Sequence, residues 1–330
     1  MKILFIRFSS IGDIVLATPA IRCTKLQIPN AEIHFLSKRS MKEVTIANPY
    51  IDHFHYYDQN INALINDLKK ENFDYIIDLH KNFRSYRIRK ALRVKTYSYK
   101  KQSIQKFLLT KLHFNGMSGR HISLRSLDAV KGLGVKDDGK GLDYFIPKES
   151  EIRNDDLPLS HQLGYIAVVI GASYYTKKLP VEKLMELCRH ISYPVILVGG
   201  SEDISEGNEV ASADPIKIYN ACGKFNLNES ADIIRKAKLV VSHDTGMQYI
   251  ASAFQKRILA VWGGTSPKLD VEPFYGTASL ARHKNFIVPS LSCQPCSNYG
   301  TRTCPKGHFR CMLDQDTSTM ANMANALIRE

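Results

Sequence analysis

The residues of this chain best suited to chemistry lie in turns that join apolar strands to amphipathic helices. One such turn, Asp244-Thr245-Gly246, follows the apolar run 239–242 and precedes a helical pattern over 247–254. A helix start of this kind presents unbonded N–H groups and the positive end of the helix dipole, so it could bind a phosphate. Asp244 and Thr245 could instead serve only to cap the helix, with Gly246 making the turn.

A second turn of this kind stands near the start of the chain. The segment Ser9-Ser10-Ile11-Gly12-Asp13 joins a predicted strand over 2–8 to a predicted helix over 13–27. In open α/β sheets, ligands bind at the carboxyl ends of the strands. Asp13 is therefore a candidate general base, because no other side chain in this turn accepts a proton at neutral pH. Its alternative role is to complement the dipole of the helix that it starts.

Two further loops follow predicted strands in the second half of the chain. Residues 171–180 contain hydroxyl groups together with Lys177 and Lys178, which are the ingredients of a pyrophosphate clamp. Gly199-Gly200 follows the next strand, and a backbone without Cβ atoms permits the close approach of a ligand. Both loops are therefore candidate ligand contacts.

The elements that position these turns alternate between strand and helix. Predicted strands cover residues 2–8, 31–36, 51–57, 75–79, 165–170, 194–198, 219–223, 239–242 and 258–262. Predicted helices cover residues 13–27, 40–48, 63–71, 181–191, 228–237, 247–254 and 316–328. This alternation predicts an α/β protein with parallel sheets.

The length predicts two domains. At roughly 100–200 residues per domain, the 330 residues are enough for two hydrophobic cores. The segment 132–156 is rich in Gly, Lys, Asp and Glu and lacks strong periodicity. It leads into Asp155-Asp156-Leu157-Pro158, which we interpret as the linker region. We therefore predict domains over 1–157 and 158–315, followed by a C-terminal helix in 316–330.

The charge of the chain indicates an anionic partner. The formal net charge is +13, which fits nucleic acid, an acidic membrane surface or a phosphorylated substrate. Much of this charge comes from the segment 81–111, which contains no Asp or Glu. Its basic residues are Lys81, Arg84, Arg87, Arg89, Lys90, Arg93, Lys95, Lys100, Lys101, Lys106 and Lys111, and Arg120 adds to them. We interpret the segment as a binding surface, the alternative being a solvated helix face.

Several classes of protein find little support. No apolar run approaches the roughly 18–20 residues that span a bilayer, and the apolar core of residues 1–7 is too short for a signal peptide. We therefore expect a cytoplasmic protein with reduced thiols. The first strand is not followed by G-x-G-x-x-G, which weakens a nicotinamide dehydrogenase interpretation. The basic segment has no recognisable nucleic-acid recognition motif, so we expect no nucleic-acid partner.

A cluster of cysteines stands near the C-terminus. Cys293, Cys296, Cys304 and Cys311 are four of the seven cysteines and follow the spacing C-x2-C-x7-C-x6-C. The first pair has the spacing of a zinc site, whereas the second pair lacks it. A structural zinc and a set of free or redox-active thiols are both open interpretations.

Four motifs together resemble those of glycosyltransferase family 9, the family of the ADP-heptose:lipopolysaccharide heptosyltransferases. These motifs are the 9–13 turn with Pro19-Ala20, the 176–180 loop, Gly199-Gly200, and Asp244-Thr245-Gly246 with Trp262-Gly263. The resemblance covers nearly the whole chain. It implies the GT-B fold, in which two Rossmann-like domains with parallel sheets face across a cleft. The first domain would take the acceptor and the second the sugar nucleotide, and the C-terminal helix would cross back to the first domain.

The resemblance also implies roles for particular residues. Asp13 matches the general base. The implied donor-binding residues are Ser173, Thr176, Lys177, Gly199, Gly200, Asp244, Thr245, Gly246 and Tyr249. The acceptor side would use Ser10, Gly12, Lys81, Arg84, Arg87 and Arg120. Tyr249 stands where the family commonly has His, and Leu179 replaces an aromatic residue before Pro180. These departures bear on the donor, because phenol and imidazole offer different hydrogen bonds.

The activity implied by the resemblance is an inverting transfer of heptose or a related sugar. The donor would be a nucleotide sugar, ADP-heptose in the family, and the acceptor the anionic inner core of lipopolysaccharide. The enzyme would act as a peripheral protein at the cytoplasmic surface of the inner membrane. The chemistry would require no cofactor. The alternative is a sugar-nucleotide-binding protein of the same fold that is non-catalytic or uses a different donor.

Overall fold

The computed structural model describes residues 1–277 and 279–329, which form two compact units. The first unit consists of Met1–Lys101, Arg120–Pro147 and Phe274–Leu280. The second consists of Gln102–Gly119, Lys148–Pro273 and Ala281–Glu330. The domain limits 1–157, 158–315 and 316–330 stay predictions.

The first unit contains five strands and six of the helices described, numbered along the whole chain. Its strands are β1 (Lys2–Ile6), β2 (Glu32–Lys38), β3 (His53–Tyr57), β4 (Tyr75–Asp78) and β5 (Lys95–Ser98). Its helices are α1 (Ile11–Val15), α2 (Thr18–Gln27), α3 (Lys42–Thr45), α4 (Ile61–Lys70), α5 (Phe83–Leu92) and α7 (Ile122–Asp128), with 3₁₀ turns at Arg39–Met41 and Lys131–Leu133.

The strands of the first unit form one parallel sheet in the order β3-β2-β1-β4-β5. The apolar residues of β1, Ile3 to Ile6, are fully buried, as expected for the central strand of a sheet covered on both faces. Strand order reverses between β1 and β4. In open α/β sheets such a reversal creates a crevice at the carboxyl ends of the strands, where ligands bind.

The second unit repeats this architecture with six strands. They are β6 (Ile166–Val169), β7 (Val195–Val198), β8 (Ile218–Asn220), β9 (Leu239–His243), β10 (Ile258–Val261) and β11 (His283–Phe286). Its helices are α6 (Ser103–Lys111), α8 (Leu159–Gln162), α9 (Val181–His190), α10 (Ile204–Ala211), α11 (Leu227–Lys236), α12 (Gly246–Ala253), α13 (Arg310–Leu313) and α14 (Thr317–Arg329). Its 3₁₀ turns are Lys148–Ser150, Asn154–Asp156, Tyr175–Lys177, Ser201–Asp203 and Pro267–Leu269.

The sheet of the second unit is also parallel, in the order β11-β10-β9-β6-β7-β8. Strand order reverses between β6 and β9, so the loops that follow these two strands border the crevice. Helix α14 packs against α9, and its Met320, Ala321 and Ala324 are buried in the core of this unit. The return of this helix to the first domain stays a prediction.

The parallel sheets and the alternation of strand and helix are confirmed, although helices such as α7 and α10 were not predicted and other local differences occur. The predicted helix 13–27 consists of α1 and α2, because Pro19 occupies the first turn of a new helix, where its missing N–H costs nothing. The edge strands β5 and β11 were not predicted. Their sequences, KTYS and HKNF, are polar and lack the apolar run of a central strand. No helix among the described residues is long and apolar enough to cross a membrane.

Candidate functional site

Asp13 lies in α1, directly after the carboxyl end of β1. Its Oδ2 atom lies 2.6 Å from the Arg7 guanidinium and accepts hydrogen bonds from the backbone N–H and the hydroxyl of Ser10, at 3.2 and 3.1 Å. Burial opposes ionisation, but the charge of Arg7 and the bonds from Ser10 outweigh it and lower the pKa of Asp13. The carboxylate is thus ionised at neutral pH, and because its side chain is 35% exposed, a ligand can reach it.

Arg7 is a site residue that the sequence interpretation missed. It holds Asp13 from the end of β1, and it also donates to the carbonyl oxygens of Ser9, at 3.0 Å, and Leu79. Its signal in the sequence is a lone charge inside the apolar run 3–8. A charge in such a position is buried only when it has partners, and Asp13 is the nearest acid in the sequence.

His80 was also missed. It follows β4, the strand next to β1, and its pKa is sensitive to the charges of both Arg7 and Asp13. Burial, reinforced by Arg7, lowers the pKa of His80 to about 4, so the imidazole is neutral at neutral pH. Its Nδ1 atom is buried and has no hydrogen-bond partner among the described residues. The crevice of the first unit thus holds two proton acceptors, one of them charged.

The other residues of the predicted acceptor side fall into two groups. Ser10 starts α1 and contacts Asp13, and Gly12 is buried within the same helix. Lys81 follows β4, at the sheet edge that also carries Asp13, and its ammonium donates to the Tyr99 carbonyl oxygen at 3.1 Å.

The remaining basic residues have other partners in the first unit. Arg84 lies on α5 over the ring of Tyr57, 5.5 Å from its centroid. Arg87, also on α5, donates to the side chain of Asn62 at 2.9 Å. Arg120 forms a bidentate ion pair with Asp128 at 2.9 Å, so its positive charge is already balanced by that carboxylate.

In the second unit, Lys177 and Asp244 form an ion pair across the strand reversal. Lys177 belongs to the loop after β6 and Asp244 follows β9, and their Nζ and Oδ2 atoms are 2.8 Å apart. The sequence interpretation listed both residues without predicting their contact. The pair places an ammonium group beside the start of α12, and among the described residues Asp244 is the partner of that group.

Asp244 is held by two further side chains. The Thr265 hydroxyl donates to its Oδ2 at 2.8 Å. The Tyr249 hydroxyl lies 3.1 Å from its Oδ1 and 2.8 Å from the Val271 carbonyl oxygen, and its single proton serves one of them at a time. Thr265 was missed, although it directly follows Gly263-Gly264. Only 8% of the Asp244 side chain is exposed, so it orients its neighbours rather than meeting solvent.

Helix α12 begins at Gly246 with Thr245 as its N-cap residue. The Thr245 side chain makes no capping hydrogen bond, and its buried hydroxyl has no partner among the described residues. The buried side-chain amide of Gln248 in the first turn is likewise without a partner in the part of the chain described. Buried polar groups are normally hydrogen-bonded, so these two point to a ligand or an ordered water at the start of the helix.

Ser173 and Thr176 differ in their surroundings. Ser173 is exposed in the loop after β6. Thr176 is buried, and its hydroxyl accepts a hydrogen bond from the Thr301 N–H at 2.8 Å, which ties the loop to the segment before Cys304. The structure thus gives Thr176 a role in positioning the loop that carries Lys177.

Gly199 and Gly200 accommodate a buried carboxylate. A Cβ atom on Gly199 would come within 2.8 Å of the Asp203 carboxylate, and the Gly200 N–H donates to that carboxylate at 2.9 Å. Asp203 also accepts from Lys178 at 2.8 Å, while Lys178 pairs with Glu206 as well. Of the two lysines in the loop, Lys178 is therefore matched by two acids, and Lys177 by one.

The four C-terminal cysteines meet at one small cavity, which His308 also lines. All four are free thiols, and the Cys293 Sγ atom lies 3.7 Å from His308 Nε2. Burial and the neighbouring thiols raise the pKa of Cys311 to about 12. His308 was missed as a neighbour of this cluster, although it belongs to the sequence Cys-Pro-Lys-Gly-His.

The family model of glycosyltransferase family 9 (heptosyltransferase) matches residues 61–306. The chain is 23% identical over 289 residues to lipopolysaccharide heptosyltransferase 1 of Campylobacter coli, a match that covers 80% of this chain and 84% of that protein. The structure of ADP-heptose lps heptosyltransferase II from E. coli aligns over 100% of this chain and 99% of its own, with a TM-score of 0.74 and 17% identity. The iron-containing dodecameric glycosyltransferase TibC of enterotoxigenic E. coli aligns over 99% and 76%, with a TM-score of 0.56 and 14% identity.

These likenesses settle fold class and family. The full-length structural alignment confirms the prediction of the GT-B fold class, with two Rossmann-like α/β domains. The family match covers well over half of the chain and confirms the resemblance seen in its motifs. The chain belongs to glycosyltransferase family 9 (heptosyltransferase) and is a glycosyltransferase.

Proposed function

We propose that this glycosyltransferase moves a heptose from ADP-heptose to the inner core of lipopolysaccharide, with inversion at the anomeric carbon. The names of the relatives support this sugar, donor and acceptor. The observation that carries the proposal is the ion pair of Lys177 and Asp244 beside the start of α12. A cation and the free N–H groups of a helix start are thereby brought together, and both bind phosphate.

The donor diphosphate is proposed to bind at this pair. Asp244 holds the Lys177 ammonium in place and leaves it two further N–H donors for phosphate oxygens. The Thr245 hydroxyl, which lacks a partner among the described residues, is a third donor beside the helix start. These groups neutralise the negative charge that builds on ADP as it leaves, and because they are fixed beforehand, little reorganisation is needed. No cofactor is required for this step.

Transfer is proposed to occur in one displacement. The oxygen of an acceptor hydroxyl bonds to the anomeric carbon, the bond from that carbon to the phosphate oxygen breaks, and ADP leaves with the electron pair. The hydroxyl proton passes to the ionised carboxylate of Asp13, with Ser10 and Arg7 keeping it in position. A single displacement through an oxocarbenium-like transition state inverts the anomeric configuration.

The transfer can be tested directly with purified protein. We expect ADP-heptose and a lipopolysaccharide acceptor that lacks heptose to yield free ADP and an acceptor one heptose heavier by mass spectrometry. ADP-glucose and UDP-glucose are the controls for donor choice. Turnover with a different nucleotide sugar alone would support the alternative that Tyr249 marks a changed donor site, and binding of ADP-heptose without turnover would support a non-catalytic protein.

Membrane attachment is proposed to use α6 and the residues that follow it, which we call the α6 surface (residues 103–114). Leu109 and Thr110 are buried on one side of this helix. The opposite side and the following turn expose four large apolar side chains by 57–72%. These side chains are Ile104, Phe107, Leu112 and Phe114. Lysines at 100, 101, 106 and 111 accompany them, with no acid in the segment. Apolar side chains flanked by lysines are typical of a segment that lies in an anionic membrane surface.

The α6 surface can be tested with vesicles. We expect the protein to bind vesicles of phosphatidylglycerol and phosphatidylethanolamine, less at high salt, and Phe107→Ser to weaken binding by about 10-fold, since it removes part of the apolar contact. Leu313→Ser is the matched control, because Leu313 is an exposed leucine on α13, outside this surface. Equal loss in both variants, or none in either, would contradict the assignment.

The four C-terminal cysteines are proposed to hold a structural zinc, with His308 beside them. Burial and neighbouring thiols raise the pKa of Cys296 as well as that of Cys311. The thiolate forms, which bind metal, would repel one another at this buried place, and a bound cation would offset that repulsion. The position of all four cysteines around one cavity supports metal, as does the iron of TibC. Their sulfur atoms would have to move together on binding, since they are not among the described ligand atoms that lie within 4.8 Å of one another. Free thiols remain the alternative, and native mass spectrometry before and after chelation distinguishes the two.

A further inference from the structure

The starts of β2 and β3 carry a cluster of histidine and glutamate side chains that the proposed transfer does not use. The two strands are parallel neighbours, and His34 pairs with His53 in their register. Alternate residues of a strand share one face, so Glu32 and His34 on β2 lie on the same face as His53 and His55 on β3. The cluster lies at the amino ends of these strands, whereas Asp13 follows the carboxyl end of β1 in the same unit.

Three ligand atoms of this cluster converge. Glu32 Oε1 lies 3.1 Å from His34 Nε2 and 3.0 Å from His53 Nε2, and the two imidazole rings stack with centroids 4.5 Å apart. Zinc binds histidine nitrogen and carboxylate oxygen at about 2.0–2.2 Å in tetrahedral geometry, which places neighbouring ligand atoms roughly 3.3 Å apart. Two of the three separations are therefore close to those of a zinc site, and all three ligand atoms lie within 4.8 Å of one another.

The second nitrogen of His34 is also placed as a metal ligand requires. Its Nδ1 atom lies 2.9 Å from His55 Nε2. Histidines that bind metal usually donate their other N–H to a partner, which fixes the tautomer and the ring. Here Nδ1–H would donate to His55 while Nε2 faces the ion.

Two charged neighbours, Lys2 and Glu71, affect whether a cation can bind beside Glu32. Lys2 Nζ lies 3.5 Å from Glu32 Oε1, and its positive charge opposes a cation there. The same ammonium lies closer to Glu71 Oε2, at 3.1 Å, so it can keep that partner when Glu32 turns to a metal. The ion would then replace the proton that otherwise joins His34 to Glu32.

We propose that Glu32, His34 and His53 bind one divalent transition-metal ion of the zinc class, with water in the open coordination position. Such an ion joins the starts of β2 and β3 and ties both to the ring of a fully buried histidine. Its place at the amino ends of the strands, away from Asp13, gives it a stabilising role and no part in the transfer.

The test compares zinc binding by the full-length protein and two variants at neutral pH. His53→Gln removes an exposed ligand at a strand start, where little else depends on the ring. His190→Gln is the matched control, because His190 is exposed on α9 and stands outside the cluster. We expect His53→Gln to bind one zinc fewer by calorimetry, with affinity at this site reduced by more than about 100-fold, and to lose part of the zinc-dependent rise in Tm. His190→Gln should keep both.

The cysteine cluster does not affect this comparison, because the variants leave its residues unchanged and any metal bound there is common to all the proteins compared. Glu32→Gln provides a second variant that loses the carboxylate and should resemble His53→Gln. Equal zinc stoichiometry and an equal zinc-dependent shift in Tm in wild type and His53→Gln would overturn the proposal. The cluster would then be only a chain of hydrogen bonds.

Discussion

Each unit of this protein places a carboxylate beside the reversal of strand order in its sheet, and the two carboxylates have different surroundings. Asp13 follows β1, the first strand of its sheet along the chain, whereas Asp244 follows β9, the fourth strand of its sheet. In each parallel sheet the strand order reverses next to a central strand, and an aspartate follows that strand. Asp13 follows β1 and pairs with Arg7 at 2.6 Å, and Asp244 follows β9 and pairs with Lys177 at 2.8 Å. Both carboxylates thus have a cationic partner at the ligand-binding edge of a sheet.

The difference lies in how much of each carboxylate is left for a ligand. The Asp13 side chain is 35% exposed, and its other partner is the neighbouring Ser10. Asp244 is 8% exposed and contacts Lys177, Thr265 and Tyr249, which come from three separate segments. An open carboxylate can accept a proton from a substrate, whereas an enclosed one fixes the cation beside it. The turn with Asp13 is therefore suited to supply the general base, and the turn with Asp244 is suited to bind the phosphate.

The largest effect on the comparison of the two carboxylates is expected from a substitution of Asp13. Asp13→Asn keeps the size of the side chain and an oxygen that can accept from Ser10, but removes its basicity and its ion pair with Arg7. We expect turnover to fall by roughly 10²–10⁴, the usual contribution of a positioned base, with the affinity for ADP nearly unchanged. The measurement is the rate of ADP release with saturating donor.

Ser10→Ala is the control, since it removes one hydrogen bond to Asp13 and leaves the charge. Near-normal transfer by Asp13→Asn would contradict the role of base. His80 would then be the proton acceptor to test, because its neutral ring lies in the same crevice.

A change at Lys177 tests the other turn. Lys177→Ala should weaken the binding of ADP by about 10–150-fold, equivalent to roughly 1.5–3 kcal/mol for hydrogen bonds from a charged group. Calorimetry of the folded variant measures this. Lys183→Ala is the control, as Lys183 pairs only with the exposed Glu186 among the contacts described. An unchanged ADP affinity in Lys177→Ala would remove the phosphate role from this turn.

A smaller effect concerns the pKa of Asp13. Arg7 lowers this pKa against the effect of burial, so in Arg7→Gln the pKa should rise. The base must be ionised to act, and the acid limb of kcat/KM should therefore move to higher pH, while activity above neutral pH changes less. A pH profile of wild type and variant checks the sign. An acid limb that stays in place would show that Asp13 does not govern it.

The turns themselves could be predicted from the sequence, because the signals are local. An apolar run such as 239–242 followed by Asp, Thr and Gly and then by helical spacing leaves few other structures for those residues. The start of α12 at Gly246 and that of α14 at Thr317 each fall within one residue of prediction. Polar edge strands such as β11 escaped prediction because their neighbours, rather than their own pattern, make them strands.

The sequence by itself thus determined the α/β alternation, the family and the residues that stand in the turns. Only the tertiary structure decided which of those residues meet. Lys177 and Asp244 are 67 positions apart by their numbers and come together because β6 and β9 are neighbours in the sheet. His34 reaches His53 for the same kind of reason, whereas Arg7 and Asp13 meet within the single connection from β1 to α1. Strand order follows from the packing of whole elements around a core, and no short segment encodes it.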